Sequence, residues 1–147
     1  MTNTVSLALA KELWELGLKI ETEKWWIIYD KKWECVYIKN QEELADVNNY
    51  YPAYSTDELL ACLAPCYKVK YGNYDKEVYI YLQIDKHPDI RKGYRCAYYP
   101  EFNDEAKPFF NLNFMDKSLP ETLGLMCKHL LINGYIFNGK EIVRKGE

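Results

Sequence analysis

With 147 residues, 48% of them hydrophobic and 28% charged, the chain has the length of one domain and enough apolar residues to bury a core without metal or disulfide staples, which sets it apart from disordered chains and disulfide scaffolds. A formal net charge of −3 provides no positive field for a phosphate backbone, so duplex nucleic acid is not an expected partner. No stretch approaches the roughly 18 apolar residues of a membrane helix and the first residues lack a basic-then-apolar leader, so the chain is expected in the cytoplasm and away from membranes. Five cysteines, at 35, 62, 66, 96 and 127, form an odd set without secretory signature, and reduced thiols are expected.

Ser6 is placed to cap a helix over Leu7 to Leu16, with Val5 and Ala10 as a hydrophobic staple and Gly17 as a left-handed stop. Trp25 to Tyr29, the polar Asp30-Lys31-Lys32 and then Trp33 to Ile38 read as a hairpin. Lys39 to Tyr54 loses this pattern and reads as loop, with a single turn around Glu42 to Ala45. Ser55-Thr56-Asp57-Glu58 is a capping box with Tyr54 and Leu59 as its staple, opening a short helix that Pro65 closes.

Tyr67 to Tyr71, a turn at Gly72-Asn73, and Glu77 to Ile84 predict a second hairpin. Within it, Val78, Ile80, Leu82 and Ile84 alternate with Tyr79, Tyr81 and Gln83. This is the clearest period-2 signal in the chain, and it predicts a central strand with an aliphatic core face and an aromatic, half-wet face. Tyr94 to Tyr99 and Phe109 to Phe114 add strands, with 101–108 as an exposed loop between them. Ser118-Leu119-Pro120-Glu121 is a further capping box, starting a helix that ends at Gly134. Leu119, Leu123, Met126, Cys127 and Leu130 fall on its core stripe, whereas Leu125 and Ile132 lie nearly opposite and are candidate contacts for a second copy of the chain. Gly124 interrupts this helix where a better helix former is expected. An edge strand is expected at Ile142-Val143. Together these elements predict a single α+β domain over residues 1–147, an antiparallel sheet of about five or six strands with three helices mainly on one face.

Fourteen tyrosines are the compositional outlier. Sheet propensity alone explains many of them, but tyrosine also supplies rigid, amphipathic contact area for binding. Tyr79 and Tyr81 are expected to share their face with aromatics of neighbouring strands, either Tyr94 and Tyr98 or Trp26 and Tyr37, close in sequence to Arg91 and Arg95. Aromatics stacked beside arginines are how a sheet holds a nucleobase, so Tyr79, Tyr81, Arg91, Tyr94, Arg95 and Tyr98 form the candidate ligand set for a nucleotide-type small molecule.

Catalytic and metal chemistry find little support. Cys62-x-x-x-Cys66 lacks the second ligand pair of a structural zinc site, so no metal and no cofactor are expected. Cys127 and His129, two apart on a helix, do not face each other, and Cys127 lies on the core stripe where a thiol is inert. There is no glycine-rich phosphate loop and no nucleophile elbow. The adjacent acids Glu42-Glu43 and Asp104-Glu105 lack partners that would set their pKa values apart. The expected function is therefore binding of a macromolecular partner, a protein, with nucleotide capture as the alternative and a small hydrolase or transferase of unidentified site as the third.

Three segments, taken together, resemble a set of small uncharacterised proteins encoded by bacteriophages and prophages. Ser6-Leu7-Ala8-Leu9-Ala10-Lys11-Glu12-Leu13-Trp14-Glu15-Leu16-Gly17, followed by Trp25 and Trp26, is similar to their opening. Pro52-Ala53-Tyr54-Ser55-Thr56-Asp57-Glu58-Leu59-Leu60 with Pro65 is similar to their middle, and Glu121-Thr122-Leu123 through Asn133-Gly134 to their close. The resemblance implies a phage or prophage origin, a compact α+β fold and a bacterial host cell. It implies no activity and carries no catalytic residue.

Overall fold

Ser6 caps the first helix by accepting from the Leu9 backbone N–H at 3.3 Å, and Gly17, at φ +100°, ends it in the left-handed region, as its sequence predicts. The computed structural model describes residues 3–38, 49–70, 77–100, 111–112 and 118–145. Helix α1 spans Leu7–Glu15 and buries Leu9, Ala10 and Leu13. Helix α2, Thr56–Cys62, starts from a complete capping box: Ser55 Oγ accepts from the Glu58 N–H, and the Glu58 carboxylate accepts from the Ser55 N–H. Helix α3, Leu119–Ile132, is capped by Ser118 Oγ. Its Glu121 departs from the expected box, because its carboxylate reaches across to accept from Ser6 N at 2.5 Å and Ser6 Oγ at 3.1 Å, tying the N-termini of α1 and α3 together.

Nine short strands are seen among the described residues, all paired antiparallel: β1 Lys24–Tyr29, β2 Lys32–Tyr37, β3 Tyr50–Pro52, β4 Cys66–Lys70, β5 Glu77–Lys86, β6 Tyr94–Pro100, β7 Asn111–Leu112, β8 Tyr135–Phe137 and β9 Ile142–Arg144. They form three sheets, β2-β1-β3, β4-β5-β6-β7 and β8-β9, so the single sheet of five or six strands is corrected. The tryptophan hairpin takes β3 as its third strand instead of joining β5, and β3 comes from a stretch read as loop. Asp30 and Lys31, both at positive φ, form the two-residue turn of that hairpin, which suits the right-handed twist of its strands. The expected turns at 42–45 and 72–73, the acid pairs at 42–43 and 104–105, and the loop 101–108 lie outside the described residues.

Helix α3 is the hub, packing on α1, α2, β6 and β8. Its expected stripe is buried at Leu123, Met126, Cys127 and Leu130, and meets Leu9 and Leu13 of α1, Leu59 of α2, Ile80 of β5 and Tyr98 of β6 in one core. Burying a side chain of this size contributes about 1.5–3 kcal/mol, so the hub carries much of the stability. Gly124 is explained here. An added Cβ would stand 2.7 Å from Leu9 Cδ2 and 2.9 Å from Val5 Cγ1, so the glycine lets α1 approach α3.

The core is unusual in its tyrosines. Tyr54, Tyr67 and Tyr98 are buried, with their hydroxyls donating to the carbonyls of Leu18, Ile142 and Ala64 respectively. Tyr67 also packs at 5.1 Å, ring centre to ring centre, against both Tyr98 and Tyr135. Burial holds the protons of Tyr54, Tyr67 and Tyr98 well above the usual tyrosine range. The unfolded chain ionises near pH 10 and the folded one does not, so the stability present below pH 10 falls as the pH rises further, by up to about 1.4 kcal/mol per pH unit for each tyrosine. Urea unfolding from pH 8 to about 11.5 is expected to show this decline. A folding stability that stays constant from about pH 10 to 11.5 would contradict it. No helix among the described residues is long and apolar enough to cross a membrane.

Candidate functional site

The alternation in β5 survives intact: Ile80 is fully buried and Val78, Leu82 and Ile84 pack on the core, while Tyr79 and Tyr81 remain 44% and 43% exposed on the other side. β5 is central in its sheet, flanked by β4 and β6. Register then decides which neighbours share the outer face. Lys68 of β4 lies opposite Tyr79, and Cys66 of β4 and Tyr99 of β6 lie on either side of Tyr81. Arg95 lies opposite Asp85, two residues beyond Gln83 on the same face.

The outer face is thus a tyrosine stripe between two ion pairs. At one end Lys68 Nζ is 2.7 Å from Glu77 Oε2 and 5.9 Å from the Tyr79 ring centre. At the other, Arg95 Nη2 is 2.5 Å from Asp85 Oδ2, with Gln83 Nε2 donating to the same oxygen at 3.2 Å. The Arg95 guanidinium holds the Asp85 carboxyl below the usual carboxylate range. Each pair is at least a third exposed, so each adds little stability, about 0–1 kcal/mol, and fixes instead the position of its charges.

The candidate ligand set is only partly assembled. Tyr79, Tyr81 and Arg95 share the face. Tyr94 lies opposite Lys86 and Tyr98 opposite Leu82, which puts both on the core side of the sheet, and Tyr98 is fully buried. Arg91 sits outside the strands, on a 3₁₀ turn over Ile90–Lys92, where its Nε is 3.3 Å from Asp89 Oδ1. Trp26 and Tyr37 belong to the β2-β1-β3 sheet. The aromatic that does join the stripe is Tyr99, which the parity of β6 could have supplied had the pairing with β5 been known.

Other candidates lie elsewhere. Leu125 packs against the core, leaving Ile132, 60% exposed, as the outward residue of the proposed contact pair. Cys62 is buried at the end of α2 while Cys66 lies on the outer face of β4, so the two thiols part company. Lys11 of α1 holds its ammonium 5.1 Å from the Trp33 ring centre and 5.5 Å from that of Tyr51, pinning the β2-β1-β3 sheet to the helix by cation–π attraction. A cleft of about 220 Å³ is lined by Thr22, Glu23, Lys24, Tyr37, Ser55 and Glu58. Its polar groups bond one another: Thr22 Oγ1 donates to Glu58 at 2.8 Å and the Tyr37 hydroxyl to Glu23 at 2.6 Å. Comparison of the chain with protein-family models, with curated proteins and with solved structures finds no match to any of them.

Proposed function

We propose that the protein is a non-catalytic binding protein of phage or prophage origin, acting in a bacterial host cell by docking a host protein on the outer face of the β4-β5-β6-β7 sheet. The observation that carries this reading is the half-exposure of Tyr79 and Tyr81 on the central strand of a regular sheet, between two fixed ion pairs. Aromatic centres ringed by polar groups are the usual anatomy of an interaction hot spot, and tyrosine loses little entropy when it is covered. Nucleotide capture draws less support, because Arg95 is held by Asp85 and Arg91 by Asp89.

The test is capture from host lysate with wild-type protein and with a Tyr79→Ala, Tyr81→Ala double variant. A specific protein retained by the wild type should be lost from the double variant, with affinity down at least tenfold, since each hot-spot tyrosine is worth about 2 kcal/mol. Unfolding should remain cooperative with a loss of about 1–2 kcal/mol from weaker strand propensity and cross-strand contacts, because neither side chain belongs to the core. Tyr50→Ala, which removes a similarly exposed tyrosine from β3 in the other sheet, should retain capture. Equal retention of the captured protein by the double variant would place its site elsewhere.

A further inference from the structure

Cys62 closes α2 and Cys127 lies in the middle of α3, 65 residues apart in the chain, yet their Sγ atoms are 3.8 Å apart. Both are buried, at 1% and 0% exposure. Cys62 Sγ–H donates to the Leu59 carbonyl at 3.2 Å, which leaves its sulfur to accept the Cys127 proton. Two facing thiols on separate, mutually packed helices are a different arrangement from a lone core cysteine. A disulfide bond is about 2.05 Å long, so the sulfurs must close by roughly 1.8 Å for one to form.

We infer that Cys62 and Cys127 form a modification site, at which a peroxide-class oxidant converts the two thiols into an intramolecular disulfide that clamps α2 to α3. In the first step one thiolate sulfur attacks a peroxide oxygen; the S–O bond forms, the O–O bond breaks, and the departing hydroxide takes the thiol's proton as water. In the second, the other sulfur attacks the sulfenic sulfur; the S–S bond forms, the S–O bond breaks, and the hydroxide leaves as water with the second thiol's proton. Two thiols lose two electrons in total, and one peroxide becomes two waters. Burial keeps the Cys127 thiol protonated well above its ordinary range, so the closed state reacts slowly and the reaction proceeds through local opening around α2. Once one sulfur is oxidised, its neighbour is the nearest nucleophile. This site is separate from the tyrosine face and does not depend on the function proposed for it.

The experiment treats wild-type protein with hydrogen peroxide, denatures it in an alkylating agent, digests it with trypsin and maps the products by mass spectrometry. The expected product joins the peptide 40–68, which holds Cys62, to the peptide 118–128, which holds Cys127. Because peptide 40–68 also holds Cys66, the same run is made on Cys66→Ser, where the joined peptides should persist. The oxidised protein should melt several degrees higher than the reduced one, and dithiothreitol should restore the original midpoint. Recovery of Cys62 and Cys127 as alkylated thiols, with oxidation confined to Cys35 and Cys66, would overturn the inference. So would loss of the joined peptides in Cys66→Ser.

Discussion

Tyr98→Ala is expected to remove about 3–5 kcal/mol of folding stability, the largest loss from any single truncation in the β4-β5-β6-β7 sheet. Tyr98 is fully buried where β6 meets α3, its ring lies 5.1 Å from that of Tyr67, and its hydroxyl donates to the Ala64 carbonyl at 2.7 Å. The alanine loses the transfer energy of the ring, opens a cavity and orphans a buried carbonyl. Domains of this size hold about 5–15 kcal/mol in all, so the variant should be largely unfolded at moderate urea. Tyr98→Phe separates the contributions, because it retains the ring and loses only the hydrogen bond, for about 1–3 kcal/mol. Urea titration of the three proteins decides. If Tyr98→Phe costs as much as Tyr98→Ala, the hydroxyl rather than the packed ring dominates and this account of the core is wrong.

The second large effect runs through Gly124. Gly124→Val is expected to cost about 3 kcal/mol, since a branched side chain must force α1 and α3 apart where an added Cβ already comes within 3 Å of Val5 and Leu9. Gly124→Ala should cost less, because alanine recovers about 1 kcal/mol of helix propensity against the same crowding, and Leu9 can turn its outer methyl aside more easily than the β-branched Val5. Thermal unfolding of both variants checks the order. A Gly124→Val protein as stable as the wild type would mean that the helices do not depend on this close approach. Glu121, which reaches from α3 to Ser6, and Lys128, which pairs with Glu12, tie the same two helices at their exposed rim, where ion pairs and hydrogen bonds contribute less than the packed seam beneath them.

What the sequence determined by itself was local. The Ser6, Ser55 and Ser118 caps, the Gly17 stop and the alternation of Val78 to Ile84 are written in residues within a few positions of one another, and a cap or a pleat is decided at that range. Thus the two faces of β5, and with them the exposed Tyr79 and Tyr81 at the centre of the candidate site, were legible before any fold was known. Tertiary structure decided everything that needed a partner from far along the chain. A shift of one residue in strand pairing exchanges the faces, so only the register could assign Tyr99 to the stripe and Tyr94 and Tyr98 to the core side. The pairing of β3 with β1, which divides the strands into separate sheets, the engagement of Glu121 by Ser6, the glycine seam between α1 and α3 and the meeting of Cys62 with Cys127 all join residues at least 20 positions apart. Such contacts are selected by how the apolar faces of whole elements fill one core, a condition that no short window of sequence contains.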